Sequence, residues 1–94
     1  MRKVTTIKDL EITVKRINEA AGTPLEPYKK RPNGVGSDAC IGCYYLDGAY
    51  GGWKLVQIQT IGGGTRDVTS GFAPKRELLR EMHAFLAGLE ASRG

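Results

Sequence analysis

The sequence predicts an α+β domain in which a three-stranded antiparallel β-meander is flanked by N- and C-terminal helices (α-β-β-β-α). Two apolar repeats at helical spacing bracket the chain, and between them lies a β-forming stretch punctuated by glycines. Hairpin-length turns within that stretch imply antiparallel pairing. The 94 residues suit a single domain, residues 1–94, with one modest core.

The first helix is expected over about residues 6–22. Ile7, Leu10, Val14, Ile17 and Ala21 recur at three- and four-residue steps and so share a face. Thr6 with Asp9 reads as a capping box with Asp in place of the usual Glu. Gly22 followed by Pro24 is the matching stop signal.

Residues 23–39 read as a connector. Pro24, Pro27 and Pro32 forbid a helix, and Asn33-Gly34 suggests a turn. Leu25 and Tyr28 are apolar enough to pin the connector onto the core.

The meander is expected over about residues 40–71. Cys40 to Leu46 is rich in β-formers and reads as its first strand. The stretch Asp47-Gly48-Ala49-Tyr50-Gly51-Gly52 is turn chemistry. Trp53 to Ile61 is a second strand with the β-type run Leu55-Val56-Gln57-Ile58. Gly62-Gly63-Gly64 makes a second turn, and Thr65 to Thr69 a short third strand.

The last helix is expected over about residues 74–90, opening at Pro74, a residue suited to the first helical position. Leu78, Leu79, Met82, Phe85, Leu86 and Leu89 form a wide apolar face. One or both helices should lie on a sheet face that could not otherwise be buried.

Net charge is +4, and its placement says more than its total. Residues 1–36 carry eight Lys or Arg against four acids, an excess concentrated at Lys29-Lys30-Arg31. Such a balance permits attraction to phosphate or nucleic acid but falls short of a dedicated polyanion binder. No run approaches the roughly 18 apolar residues of a membrane helix, so no membrane partner is expected. The basic start Met1-Arg2-Lys3 lacks an apolar h-region, which argues against a signal peptide and for the cytoplasm, with free thiols.

Cys40-Ile41-Gly42-Cys43 has the spacing of half a zinc site, but zinc needs four ligands and the remaining soft donor, His83, lies far along a helix. Two packed thiols within a strand are expected instead, with no metal and no cofactor. His83 lacks an evident nucleophile and orienting acid, so no catalytic triad is read and no enzyme is expected.

Lys75 and Arg76 occupy the first turn of the last helix, where cations oppose the helix dipole. Together with free helix N–H groups they make a candidate anion site. Arg80 lies one turn further on. If the third strand feeds directly into this helix, Arg66 and the glycine turn with Gly63 and Gly64 come near, and glycines let backbone N–H groups approach a phosphate. Tyr44, Tyr45, Tyr50 and Trp53 crowd one hairpin and could form a stacking platform for a base or a partner's side chain.

Ile17-Asn18, Gly22-Thr23-Pro24, Pro27-Tyr28, Ile41-Gly42 and Leu46-Asp47-Gly48-Ala49-Tyr50-Gly51-Gly52 resemble a group of small proteins of tailed bacteriophages and prophages. Gly62-Gly63-Gly64, Asp67-Val68, Lys75-Arg76-Glu77-Leu78 and Ala84-Phe85-Leu86-Ala87-Gly88-Leu89 extend the likeness from about residue 7 to 90. The resemblance implies phage origin and expression in a bacterial host, without supplying an activity. By topology, the chain is also similar to double-stranded RNA-binding domains, which place lysines at the start of the last helix. Lys75 and Arg76 match that element. The turn at 47–52 lacks the expected histidine, and Leu78, Leu79, Met82 and Phe85 replace a small-residue face.

The leading expectation is a non-enzymatic phage accessory protein that binds a host protein or a small anionic ligand and so blunts a host process such as defence. A nucleic-acid-binding module is the alternative, and a minor virion protein a third. A homodimer could form through an uncovered sheet face or edge.

Overall fold

The structure, a computed structural model, describes residues 4–32 and 34–93. Its elements are α1 (Ile7–Ala21), β1 (Tyr28–Lys30), β2 (Ser37–Ala39), β3 (Tyr44–Ala49), β4 (Gly52–Ile58), β5 (Thr65–Asp67) and α2 (Lys75–Arg93). The chain is α+β, with two helices and two small antiparallel sheets, β1-β2 and β3-β4-β5.

α1 forms where the apolar spacing places it, and its ends are closed by local chemistry. The Thr6 side chain accepts from the Asp9 amide while the Asp9 carboxylate accepts from the Thr6 amide at 2.9 Å, a reciprocal box that satisfies two end donors. Gly22 ends the helix in the left-handed conformation at φ 71, its N–H donating back to Glu19.

α1 and α2 cover one face of the three-stranded sheet. Leu10 and Ile17 from α1 meet Leu78, Met82 and Leu86 from α2 over Tyr44 and Leu55. One groove between the helices is lined by Asp9, Ile12, Leu79 and His83, and the next by Arg16, Ala20, Leu86 and Glu90. The two helices therefore run in the same direction. Strand alternation sends Leu46, Trp53 and Leu55 toward them, and Tyr45, Lys54 and Ile58 to the other face.

Asn18 joins helix to sheet. Its side-chain amide donates to the Tyr44 carbonyl at 3.0 Å and accepts from the Tyr44 amide at 2.9 Å. It thus occupies the backbone groups with which β3 would begin pairing to another strand, shortening an exposed edge. The Thr23 hydroxyl donates to the same carbonyl oxygen of Asn18 at 2.7 Å. Among the described residues no buried side-chain polar atom lacks a partner.

Five sequence expectations are corrected. The connector 23–39 is not all loop: it folds into the β1-β2 hairpin, with Tyr28 opposite Ala39 and Lys30 opposite Ser37. Pro27 and Pro32 fall just outside the paired residues, where no ladder N–H is lost. The expected turn at Asn33-Gly34 lies partly outside the described residues, because Asn33 is not among them. Leu25 and Tyr28 do not seal the connector to the core, being 54% and 48% exposed.

Cys40 to Cys43 is a turn rather than strand, and β3 starts only at Tyr44. Asp47, Gly48 and Ala49 extend β3, which leaves Tyr50-Gly51 as the turn, with φ 53 and 73. Gly48 stays in the strand because the Trp53 ring lies against it: a Cβ there would sit 2.7 Å from the indole. α2 continues through Gly88 to Arg93, beyond the expected stop near residue 90. After β5 the chain rejoins the sheet at Ala73, which pairs with Trp53, and so delivers α2 to that end of β4.

Candidate functional site

The residues predicted to form an anion corner are divided between the two ends of β4. Arg66 pairs opposite Gln57, and its Nε donates to the Gln57 side chain at 3.0 Å. Gly64 accepts from the Gln59 amide just beyond β4, while a Cβ on Gly63 would meet the Tyr28 hydroxyl at 3.2 Å. Lys75 and Arg76 instead follow Ala73, which pairs with Trp53. From Trp53 to Gln57 is four strand residues, roughly 13 Å. Arg76 and Arg80 are exposed on α2, and the glycine turn does not join them. The physical reason is the irregular segment 68–72, which carries the chain back along β4 before the helix begins.

The four aromatics do not share a platform either. Tyr44 is buried against Phe85, with ring centroids 5.4 Å apart. Trp53 faces the helices over Gly48. Tyr45 points to the opposite sheet face, and Tyr50 stands at the hairpin tip, 95% exposed and edge-on to Phe72 at 5.5 Å. Their adjacency in sequence puts them on alternate faces of one pleated hairpin.

On the face away from the helices, Lys54 pairs with Asp67 at 3.0 Å and lies over the Phe72 ring at 4.5 Å. Asp47 is directly across the strand pair. Tyr45, half-buried here, has its hydroxyl pushed above the usual tyrosine range by burial first, then by neighbouring Tyr28 and Asp47. These groups are internally matched, which suits a structural network more than a binding site.

The β1-β2 end has a different character. Lys29, Lys30 and Arg31 are all exposed, with only Asp38 among the hairpin residues to offset them. Arg31 bonds Asp38 at 3.0 Å, and neither lysine has an ion pair among the described residues. These cations, with Pro32, Asp38, Ala39 and Cys40, line a recess of about 330 Å³. Leu25, Tyr28, Val35, Ile41 and Ile61, five of the eight large apolar side chains exposed among the described residues, lie in this hairpin or in the segments next to its base. Hydrogen bonds from the Ala39 amide to the Ile61 carbonyl and from the Cys40 amide to the Pro27 carbonyl bring these segments together. Sequence reasoning noted the basic run but missed these apolar residues, because they come from five separate loops and strands.

Cys40 and Cys43 are free thiols. Cys43 packs with Ala39 and Ile58, where burial, and then the neighbouring Cys40, hold its thiol above the usual range. No three metal-ligating side chains gather among the described residues. His83 is exposed in the groove between the helices. No helix among the described residues is long and apolar enough to cross a membrane.

No protein-family model matches the chain, and neither a curated protein nor a solved structure is significantly similar to it.

Proposed function

We propose that this chain is a small phage accessory protein that acts by binding a host protein, without catalysis, through the β1-β2 end. One observation carries the reading: exposed Lys29 and Lys30 share the β1-β2 hairpin with exposed Tyr28 and Val35, and main-chain bonds at its base bring in the segments that carry exposed Ile41 and Ile61. Interfaces combine an aromatic or aliphatic centre with a charged rim, and rim cations steer an acidic partner. The favoured partner is therefore a host protein with acidic residues around an apolar patch. A small anionic ligand is the narrower form of the same idea, held by the recess that the three cations line.

The test is capture from a bacterial lysate on the immobilised chain, with and without nuclease, followed by mass spectrometry of proteins and small ligands. A protein retained in stoichiometric amount after nuclease treatment supports the reading. Capture that vanishes with nuclease overturns it in favour of nucleic acid.

Nucleic-acid binding is the second reading, since the same cations on a projecting two-stranded ribbon could meet phosphates. It predicts affinity that falls steeply with salt. The likeness to double-stranded RNA-binding domains supports it less than the plain α-β-β-β-α reading did, because an extra hairpin intervenes before β3.

A further inference from the structure

We propose that Cys40 and Cys43 are a thiol pair poised to close into an intramolecular disulfide, a modification that locks the β1-β2 hairpin onto the three-stranded sheet. The backbone supplies the geometry. The Cys43 amide donates to the Cys40 carbonyl at 3.1 Å, so residues 40–43 form a β-turn with the two cysteines as its first and last members. Such a turn holds its end Cα atoms within about 7 Å, and disulfides span Cα separations of roughly 4.4–6.8 Å.

Gly42 takes φ 95, as the turn requires. Its amide donates to the Ile58 carbonyl at 2.8 Å, while the Ile58 amide donates to the Cys43 carbonyl at 3.0 Å. Gly42 and Cys43 together oppose the single residue Ile58, which is a glycine bulge. The cysteine spacing is thus set from both sides by main-chain bonds. Closure asks for side-chain rotation, in which the Cys43 thiol leaves the Tyr44 carbonyl that it meets at 3.5 Å.

The two thiols differ in access. Cys40 is partly exposed at the lip of the cation-lined recess, and Cys43 is buried against Ile58 and Ala39. Cys40 is therefore the attacking thiol and Cys43 the resolving one. With a small-molecule disulfide such as oxidised glutathione, the Cys40 thiolate attacks one sulfur, forms a mixed disulfide and expels one glutathione thiolate. Cys43 then gives up its proton to solvent, attacks the Cys40 sulfur and expels the second glutathione thiolate. Two protein thiols become one disulfide, and one glutathione disulfide becomes two thiols.

The bridge lies where the hairpin joins the sheet. The Cys40 amide bonds the Pro27 carbonyl at the entry to β1, and Cys43 anchors Ala39 of β2 against Ile58 of β4. Closure is read on the isolated chain, so it is tested apart from the binding proposal.

The experiment incubates the folded chain in glutathione buffers of rising oxidised share and reads intact mass. The expected product has lost two hydrogens and carries no lasting glutathione. Cys43→Ser should stop at a glutathione adduct on Cys40, and Cys40→Ser should stay unmodified while folded. Should Cys43→Ser not fold, alkylation of the reduced wild type must label Cys40 before Cys43. Amide exchange at Ala39 and Cys40 should slow on closure. The proposal is overturned if the folded wild type stays reduced or accumulates a glutathione adduct. Equal exchange in both redox states overturns the locking role.

Discussion

Replacing Asn18 with alanine tests the joint on which the helical layer depends. The substitution strips two hydrogen bonds from the main chain of buried Tyr44 and one from the Thr23 hydroxyl. The Tyr44 amide then lies in the core without its acceptor, and the carbonyl keeps only the weak Cys43 thiol donor at 3.5 Å. An unsatisfied buried polar group costs about 1–3 kcal/mol. Two such groups, partly relieved by water entering the space, give an expected loss of about 2–4 kcal/mol. Because a domain of this size has about 5–15 kcal/mol in hand, the change should be plain in urea unfolding. Its midpoint should fall sharply with an unchanged slope. Asn18→Asp should also destabilise, since it keeps an acceptor, loses the donor and buries a charge. A loss below about 0.5 kcal/mol for Asn18→Ala would refute the view that this side chain ties α1 to β3.

Three further outcomes follow from the same structure. Gly48→Ala should destabilise by about 1–3 kcal/mol and alter Trp53 fluorescence, because its Cβ would fall inside the contact distance of the indole. Tyr50→Asn should raise the urea midpoint, by about 0.5–1 kcal/mol, because Asn-Gly suits a turn with positive φ at both centres far better than an exposed tyrosine does. Stability should fall as pH rises past about 8.5, the range in which an unfolded thiol ionises. Cys43 and Tyr45 are both held above their ordinary ranges in the fold. The unfolded chain therefore loses protons that the folded chain keeps, so the stability they confer is intact below this range and lost above it. Melting curves across this range should show Cys43→Ser flatter than wild type.

What was legible in the sequence divides along physical lines. α1 could be read almost to the residue because its signals are local: the apolar spacing from Ile7 to Ala21, the Thr6–Asp9 box and the Gly22 stop. β4 and the glycine turn after it were legible for the same reason. The β1-β2 hairpin was not. Tyr28, Lys29 and Lys30 are all exposed, so no apolar alternation marks them as strand, and their pairing is decided by the Ile61 and Pro27 main-chain contacts. β-formers at Cys40 to Cys43 likewise suggested strand, whereas Gly42 at φ 95 turns the chain.

The site reading failed where it assumed that neighbours in sequence are neighbours in space. Lys75 and Arg66 lie near one strand, but at opposite ends of it. Tyr44 and Tyr45 are consecutive and face opposite layers. The basic run Lys29-Lys30-Arg31 was visible from charge alone, but its apolar surroundings required the fold.

The central claim, that the β1-β2 end is the binding surface, is tested most directly by charge reversal there. Lys29→Glu/Lys30→Glu alters exposed side chains that have no ion pair among the described residues, so its circular dichroism and melting should match the wild type. Compared with the wild type in nuclease-treated lysate capture, this variant should lose the retained partner, whereas Arg76→Glu/Arg80→Glu on α2 should keep it. Equal capture by the hairpin variant, or loss only with the α2 variant, would contradict the assignment.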